Sequence, residues 1–149
     1  MAELELRQAI RNAIEVEQAA ARFYAGLRAK AVDAPTEEVV AQMEAEEREH
    51  AAALQQLAVR VEAGQLPEHA DHHCRTVETI PAWNEADEIT LREALDIALE
   101  AEMYAALYYG ALADSVGPGG LLEFFTSMTA MEEKHVRRIE ELLKRLAAG

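Results

Sequence analysis

Between residues 40 and 61 one helical face carries Val40, Met43, Glu47, His50, Leu54, Leu57 and Val61, in alternating steps of three and four. That spacing predicts an amphipathic helix with this stripe turned inward. An inward stripe is normally apolar, because a buried charge costs several kcal/mol unless it is paired. A Glu and a His in mid-stripe therefore limit the chain to folds that bring compensating groups to the same level.

Three further stripes have the same character. Leu6, Ile10, Ala13, Glu17, Ala20, Tyr24 and Leu27 form one. Leu91, Leu95, Ala98, Glu102, Ala105, Tyr109 and Leu112 form the second, and Phe125, Met128, Glu132, His135, Ile139, Leu142 and Leu146 the third. The halves repeat at one constant interval: Glu17 returns as Glu102, Tyr24 as Tyr109, Glu47 as Glu132 and His50 as His135. The chain reads as a doubled helical hairpin.

Helix boundaries follow from local chemistry. The first helix is expected over about residues 3–31, ending near V-D-A-P, with Pro35 in the first turn of the second. That helix is expected to stop at Gly64. Residues 64–89 carry two prolines and no clean period, and read as a long connection. Thr90 and Glu93 form a T-x-x-E start signal for a third helix reaching about Ser115. Gly117, Pro118, Gly119 and Gly120 break the chain before a fourth helix over about 121–147. The expectation is one all-α domain spanning residues 1–149, a four-helix bundle. The connection is long enough to cross over between helices two and three.

With 149 residues, half of them hydrophobic, the chain can bury a real core. A net charge of −14 disfavours nucleic acid and anionic membrane and attracts cations. Cys74 stands alone, which excludes an internal disulfide framework and a four-thiolate metal site. The beginning M-A-E-L-E-L-R-Q has no secretory character, and no apolar run reaches membrane-spanning length, so a cytoplasmic location is expected.

Glu17, Glu47, His50, Glu102, Glu132 and His135 all sit near the midpoints of their helices, and midpoints meet at one level in a bundle. Four buried carboxylates repel one another. Protonation would relieve that, but would leave the two histidines unexplained. Two divalent cations balance four carboxylates. Glu-x-x-His puts a carboxylate and an imidazole one turn apart on one face, within reach of one ion.

At these residues the sequence resembles the ferritin-like di-iron carboxylate superfamily, and within it the rubrerythrin group. The motifs are E-Q-A-A-A-R-F-Y from Glu17, E-R-E-H from Glu47, E-M-Y-A-A-L-Y-Y from Glu102 and E-E-K-H from Glu132. The resemblance implies that Glu47 and Glu132 bridge two irons. Glu17 and His50 would bind one iron, and Glu102 and His135 the other. Tyr24 and Tyr109 would hydrogen-bond ligand carboxylates, though each also fits plain core packing. The chain departs from the rubrerythrin group in two ways and from the bacterioferritins in one. It lacks the paired C-x-x-C motifs of a rubredoxin-like centre. It has Ala105 where rubrerythrins carry an additional ligand Glu. It has Arg48 where bacterioferritins carry a haem-binding Met, so no haem is expected. No fifth helix of the cage-forming ferritins is evident, so a homodimer is expected rather than a storage shell.

The implied chemistry is oxidation of a two-iron centre by O2 or H2O2, as ferroxidase or peroxide reductase, with an electron donor the sequence does not name. Manganese remains an alternative to iron. Two rival readings stay open: a helical dimerisation module with a structural metal, and an oxygenase acting on an organic substrate near the small Ala20, Ala21, Ala105 and Ala106. His69, His72, His73 and Cys74 form a polar cluster in the connection, readable as a metal or electron site or as an ordinary loop. Met43 and Met128 are expected to fill core, and Trp83 to pin the connection to the bundle.

Overall fold

The computed structural model describes residues 2–64 and 89–148. They form four helices: α1 (Ala2–Arg28), α2 (Ala34–Glu62), α3 (Leu91–Ser115) and α4 (Gly120–Ala148). His69, His72, His73, Cys74 and Trp83 lie outside the described residues.

Side-chain chemistry sets the helix ends. Asp33 caps α2 by accepting the Thr36 amide at 2.8 Å, with Pro35 in the first turn. Thr90 caps α3 through the Glu93 amide at 3.1 Å. Gly64 follows α2 at φ 67, a left-handed position that a side chain would strain. Two boundaries differ from the sequence reading. α1 ends at Arg28 rather than near Ala31, because Ala29, Lys30 and Ala31 bond three residues back in tight turns. α4 begins at Gly120, which the sequence assigned to the break.

Interhelical contacts fix the directions. α1 and α2 are antiparallel across a short loop, with Arg11–Glu62 and Arg28–Glu44 pairs at opposite ends. α1 and α3 are antiparallel, since Tyr24 meets Glu102 while Tyr109 meets Glu17. α2 and α3 therefore run the same way. α3 thus begins at the end of the bundle where α2 begins, a helix length of about 43 Å from where the 29-residue α2 ends. The topology is a bundle with a long crossover between the second and third helices.

The inward stripes are buried along nearly their whole length, with only Leu91 and Leu146 half-exposed at the bundle end. The apolar core comes in two blocks. One gathers Leu6, Ile10, Leu54, Leu57, Tyr109, Leu112, Phe125 and Met128. The other gathers Tyr24, Leu27, Val40, Met43, Leu95, Ile139 and Leu142. Met43 and Met128 thus fill core on opposite sides of the middle level.

Candidate metal centre

Between the two blocks lies a polar layer of Glu17, Glu47, His50, Glu102, Glu132 and His135, none more than 3% exposed. Each helix supplies its share at mid-length, so equal helix halves bring all six together. They form two groups that share Glu47 and Glu132. Glu17 and His50 complete one group; Glu102 and His135 complete the other. In each group the candidate ligand atoms lie within 4.8 Å of one another.

The distances are those of groups facing a common centre. His50 Nδ1 is 3.2 Å from Glu132, 3.7 Å from Glu47 and 3.8 Å from Glu17. His135 Nδ1 is 2.8 Å from Glu47, 3.4 Å from Glu102 and 3.9 Å from Glu132. The imidazoles stack with centroids 5.7 Å apart and planes 21° apart. Despite this crowding, Glu47 Oε1, Glu102 Oε2, both Glu132 oxygens and both nitrogens of each histidine have no aligned hydrogen-bond partner. Orphaned buried donors and acceptors are rare, and a whole layer of them fits the donor set of a cationic centre. Oxygen and imidazole nitrogen ligands suit iron, manganese or zinc.

Two tyrosines tie the hairpins together across the layer. The Tyr24 hydroxyl donates to Glu102 Oε1 at 2.7 Å, and the Tyr109 hydroxyl donates to Glu17 Oε1 at 2.6 Å. Each reaches the carboxylate of the other hairpin, not the Glu two turns back on its own helix. The outer carboxylates are thereby aimed, while Glu47 and Glu132 receive no tyrosine bond.

Metal-free electrostatics separate the acids. Burial, then the charges of Glu17 and Glu102, pushes Glu47 well above the usual carboxylate range. Burial, then Glu102, Glu17 and Glu47, does the same to Glu132. Burial opposes ionisation of Glu17 too, but the proximity of Glu47 and His50 and the Tyr109 hydrogen bond outweigh it and take its pKa down to about 2. Burial and the neighbouring carboxylates raise both tyrosines, so they remain hydrogen-bond donors.

Sequence reasoning missed one feature. Glu46, on the flank of α2, bonds Arg138 of α4 at 2.5 Å, and its Oε2 lies 3.9 Å from His135 Nε2. The available signal was a break in the internal repeat, where Met131 and Ala53 occupy the equivalent places.

No family model matches the chain, and no curated protein matches it. Two solved structures do. A Thermotoga maritima protein, provisionally described as a ferritin-like diiron-carboxylate protein, is 21% identical with a TM-score of 0.74, over 93% of this chain and 93% of its own. A Pyrococcus furiosus protein of unassigned function is 21% identical with a TM-score of 0.75, over 99% of this chain and 94% of its own. At that identity the likeness concerns the fold, which is ferritin-like.

Proposed function

We propose that the polar layer holds two metal ions, iron first and manganese as the alternative, and that the protein is a rubrerythrin-like oxidoreductase. The carrying observation is the convergence of two Glu-x-x-His pairs and two further Glu residues into one buried layer in which most carboxylate oxygens and all four imidazole nitrogens lack a hydrogen-bond partner. The description of the Thermotoga maritima neighbour as a diiron-carboxylate protein supports the same reading. When bound in reduced form, an iron pair supplies two electrons to O2 or H2O2.

Residue roles follow from the geometry. Glu47 and Glu132 belong to both groups and would be shared by the two ions. Glu17 with His50, and Glu102 with His135, would complete the sets. Four carboxylates would then face two divalent charges, which offsets the burial and the mutual repulsion that raise Glu47 and Glu132. Tyr24 and Tyr109 hold Glu102 and Glu17 in place through one oxygen each. The apolar blocks above and below keep bulk water out.

The remaining assignments are a cytoplasmic homodimer served by an electron donor from outside the chain. Among the described residues no helix is long and apolar enough to cross a membrane. Self-association is supported by the outer face of α3, where Met103 and Leu107 stand 52% and 65% exposed. They border a cavity of about 680 Å³ whose lining carries both Glu133 and Arg137.

The deciding experiment is an anaerobic Fe(II) titration of metal-free protein, followed by a pulse of O2 or H2O2 with near-ultraviolet detection. Two irons per chain and rapid oxidation are expected, and the faster oxidant distinguishes ferroxidase from peroxide reductase. Two ions bound without oxidant consumption would instead mark a structural metal in a helical interaction module.

A further inference from the structure

The two halves of the layer are built by an internal repeat, so their surroundings should match unless something has diverged. At the ligands and the crossing tyrosines they do match: Glu17 with Glu102, Glu47 with Glu132, His50 with His135, and Tyr24 with Tyr109. Among the neighbouring positions that differ, two pairs bear on the histidines. Glu46 stands directly before Glu47, and Met131 stands directly before Glu132. Arg138 lies one turn beyond His135, and Ala53 lies one turn beyond His50. All four are half-buried, so the exchange replaces an ion pair with a thioether and a methyl group at comparable depth.

The departure bears on one histidine. His135 turns Nδ1 to the carboxylates and leaves Nε2 on the far side, buried and without a hydrogen-bond partner. The acid nearest that nitrogen from outside the layer is Glu46, whose carboxylate Arg138 grips at 2.5 Å. The acids facing His50 are Glu17, Glu47 and Glu132, all members of the layer itself. Histidines that bind metal through one nitrogen usually donate the other N–H to a carboxylate or carbonyl, which fixes the tautomer and strengthens the ligand. Only the His135 side has such a carboxylate placed for that task among the described residues, at 3.9 Å and anchored by a cation.

We propose that Glu46 and Arg138 form a positioning pair for His135 and make the two metal positions unequal. The position formed with Glu102 and His135 fills first and holds its ion more tightly; the one formed with Glu17 and His50 fills second. The inference rests on the metal reading above. It assigns Glu46 no place among the ligands: its carboxylate is the acceptor His135 Nε2–H would reach by closing the 3.9 Å gap, and Arg138 keeps it from swinging into the layer. A centre with one firmly held and one exchangeable ion suits a protein that takes up a second metal, or releases it, while staying folded.

The test is a stepwise anaerobic Co(II) titration of metal-free protein followed by visible absorption, with Co(II) as the probe for either position. The wild type should show two resolved steps totalling two ions per chain. Glu46→Gln and Arg138→Gln should weaken the tighter step by about 10–100-fold and leave the weaker one within a few-fold. The double substitution Met131→Glu with Ala53→Arg should tighten the weaker step and bring the two together. A purely structural role for the Glu46–Arg138 pair would lower thermal stability and weaken both steps alike, which overturns the proposal. Equal steps in the wild type, or unchanged steps in Glu46→Gln, also overturn it. Wild-type protein that binds no second ion refutes the two-metal reading itself, an outcome distinct from the others.

Discussion

The bundle has two kinds of interior, and they act in opposite directions on stability. The apolar blocks around Phe125 and Leu54 on one side, and Ile139 and Leu95 on the other, are fully buried and release water on folding. The layer between them buries four carboxylates and two imidazoles just as deeply and leaves much of their hydrogen-bonding capacity unused. Burial is therefore not the quantity that separates stabilising from functional residues here. The satisfaction of polar atoms is. The blocks hold together a layer of acids whose burial and mutual repulsion a pair of cations would offset.

That contrast breaks most visibly at the shared acids. Glu47→Gln or Glu132→Gln should abolish paired metal binding in a titration. The same substitution should raise the stability of metal-free protein at neutral pH, since burial, and then the neighbouring carboxylates, make the charged form of each acid costly. Urea unfolding after chelation reads this second effect. A loss of metal-free stability would place the shared acids among the groups that hold the fold together. In the blocks the sign should reverse: Phe125→Ala should cost about 3–5 kcal/mol and Leu54→Ala about 2–5 kcal/mol, with two ions still bound per folded chain.

The pH dependence of metal-free protein sharpens the same contrast. Glu47 and Glu132 titrate above their ordinary value of 4.5, so the folded chain holds protons that the unfolded chain has released. Stability should fall as pH rises from about 4.5 through their raised values. Glu17 is displaced the other way, and its contribution should be lost as pH falls from 4.5 towards about 2. Metal loading should flatten the high-pH limb and release protons, measurable by calorimetry in buffers of different ionisation heat. A smaller effect is expected at the crossing tyrosines. Tyr24→Phe or Tyr109→Phe removes a bond to a buried carboxylate, worth about 1.5–3 kcal/mol when the acceptor is charged. An effect near zero in loaded protein would mean that the ions, not the tyrosines, orient Glu102 and Glu17.

The stripes and the layer were legible because helical periodicity is a local property, and a charge in mid-stripe is visible without knowing which helix it faces. The repeat then showed that the same exception occurs in both halves. Pairings across helices were less legible. Nothing in the stripe containing Tyr24 says that its hydroxyl crosses to Glu102, because that follows from the antiparallel register of α1 and α3. Glu46 and Arg138 were harder still: each lies off its stripe and looks like one of many surface charges until α2 and α4 are set side by side. The end of α1 was misplaced because Ala29, Lys30 and Ala31 have good helix propensity, while the chain there must tighten into a turn toward Asp33.

The weakest expected effect is also the control on the whole contrast. Glu15 lies two residues before Glu17, and Glu100 two before Glu102, so each shares the helix and nearly the sequence position of a layer acid. Both side chains are exposed, because two residues along a helix turn a side chain roughly 200° away from the inward stripe. Glu15→Gln and Glu100→Gln should therefore shift stability by no more than about 0.5 kcal/mol and leave both metal-binding steps in place. Each exposed substitution removes one negative charge without touching the layer, so it isolates any general attraction of cations by an acidic protein. If the exposed pair weakened metal binding as much as the buried pair, net charge rather than the layer would be recruiting the ions.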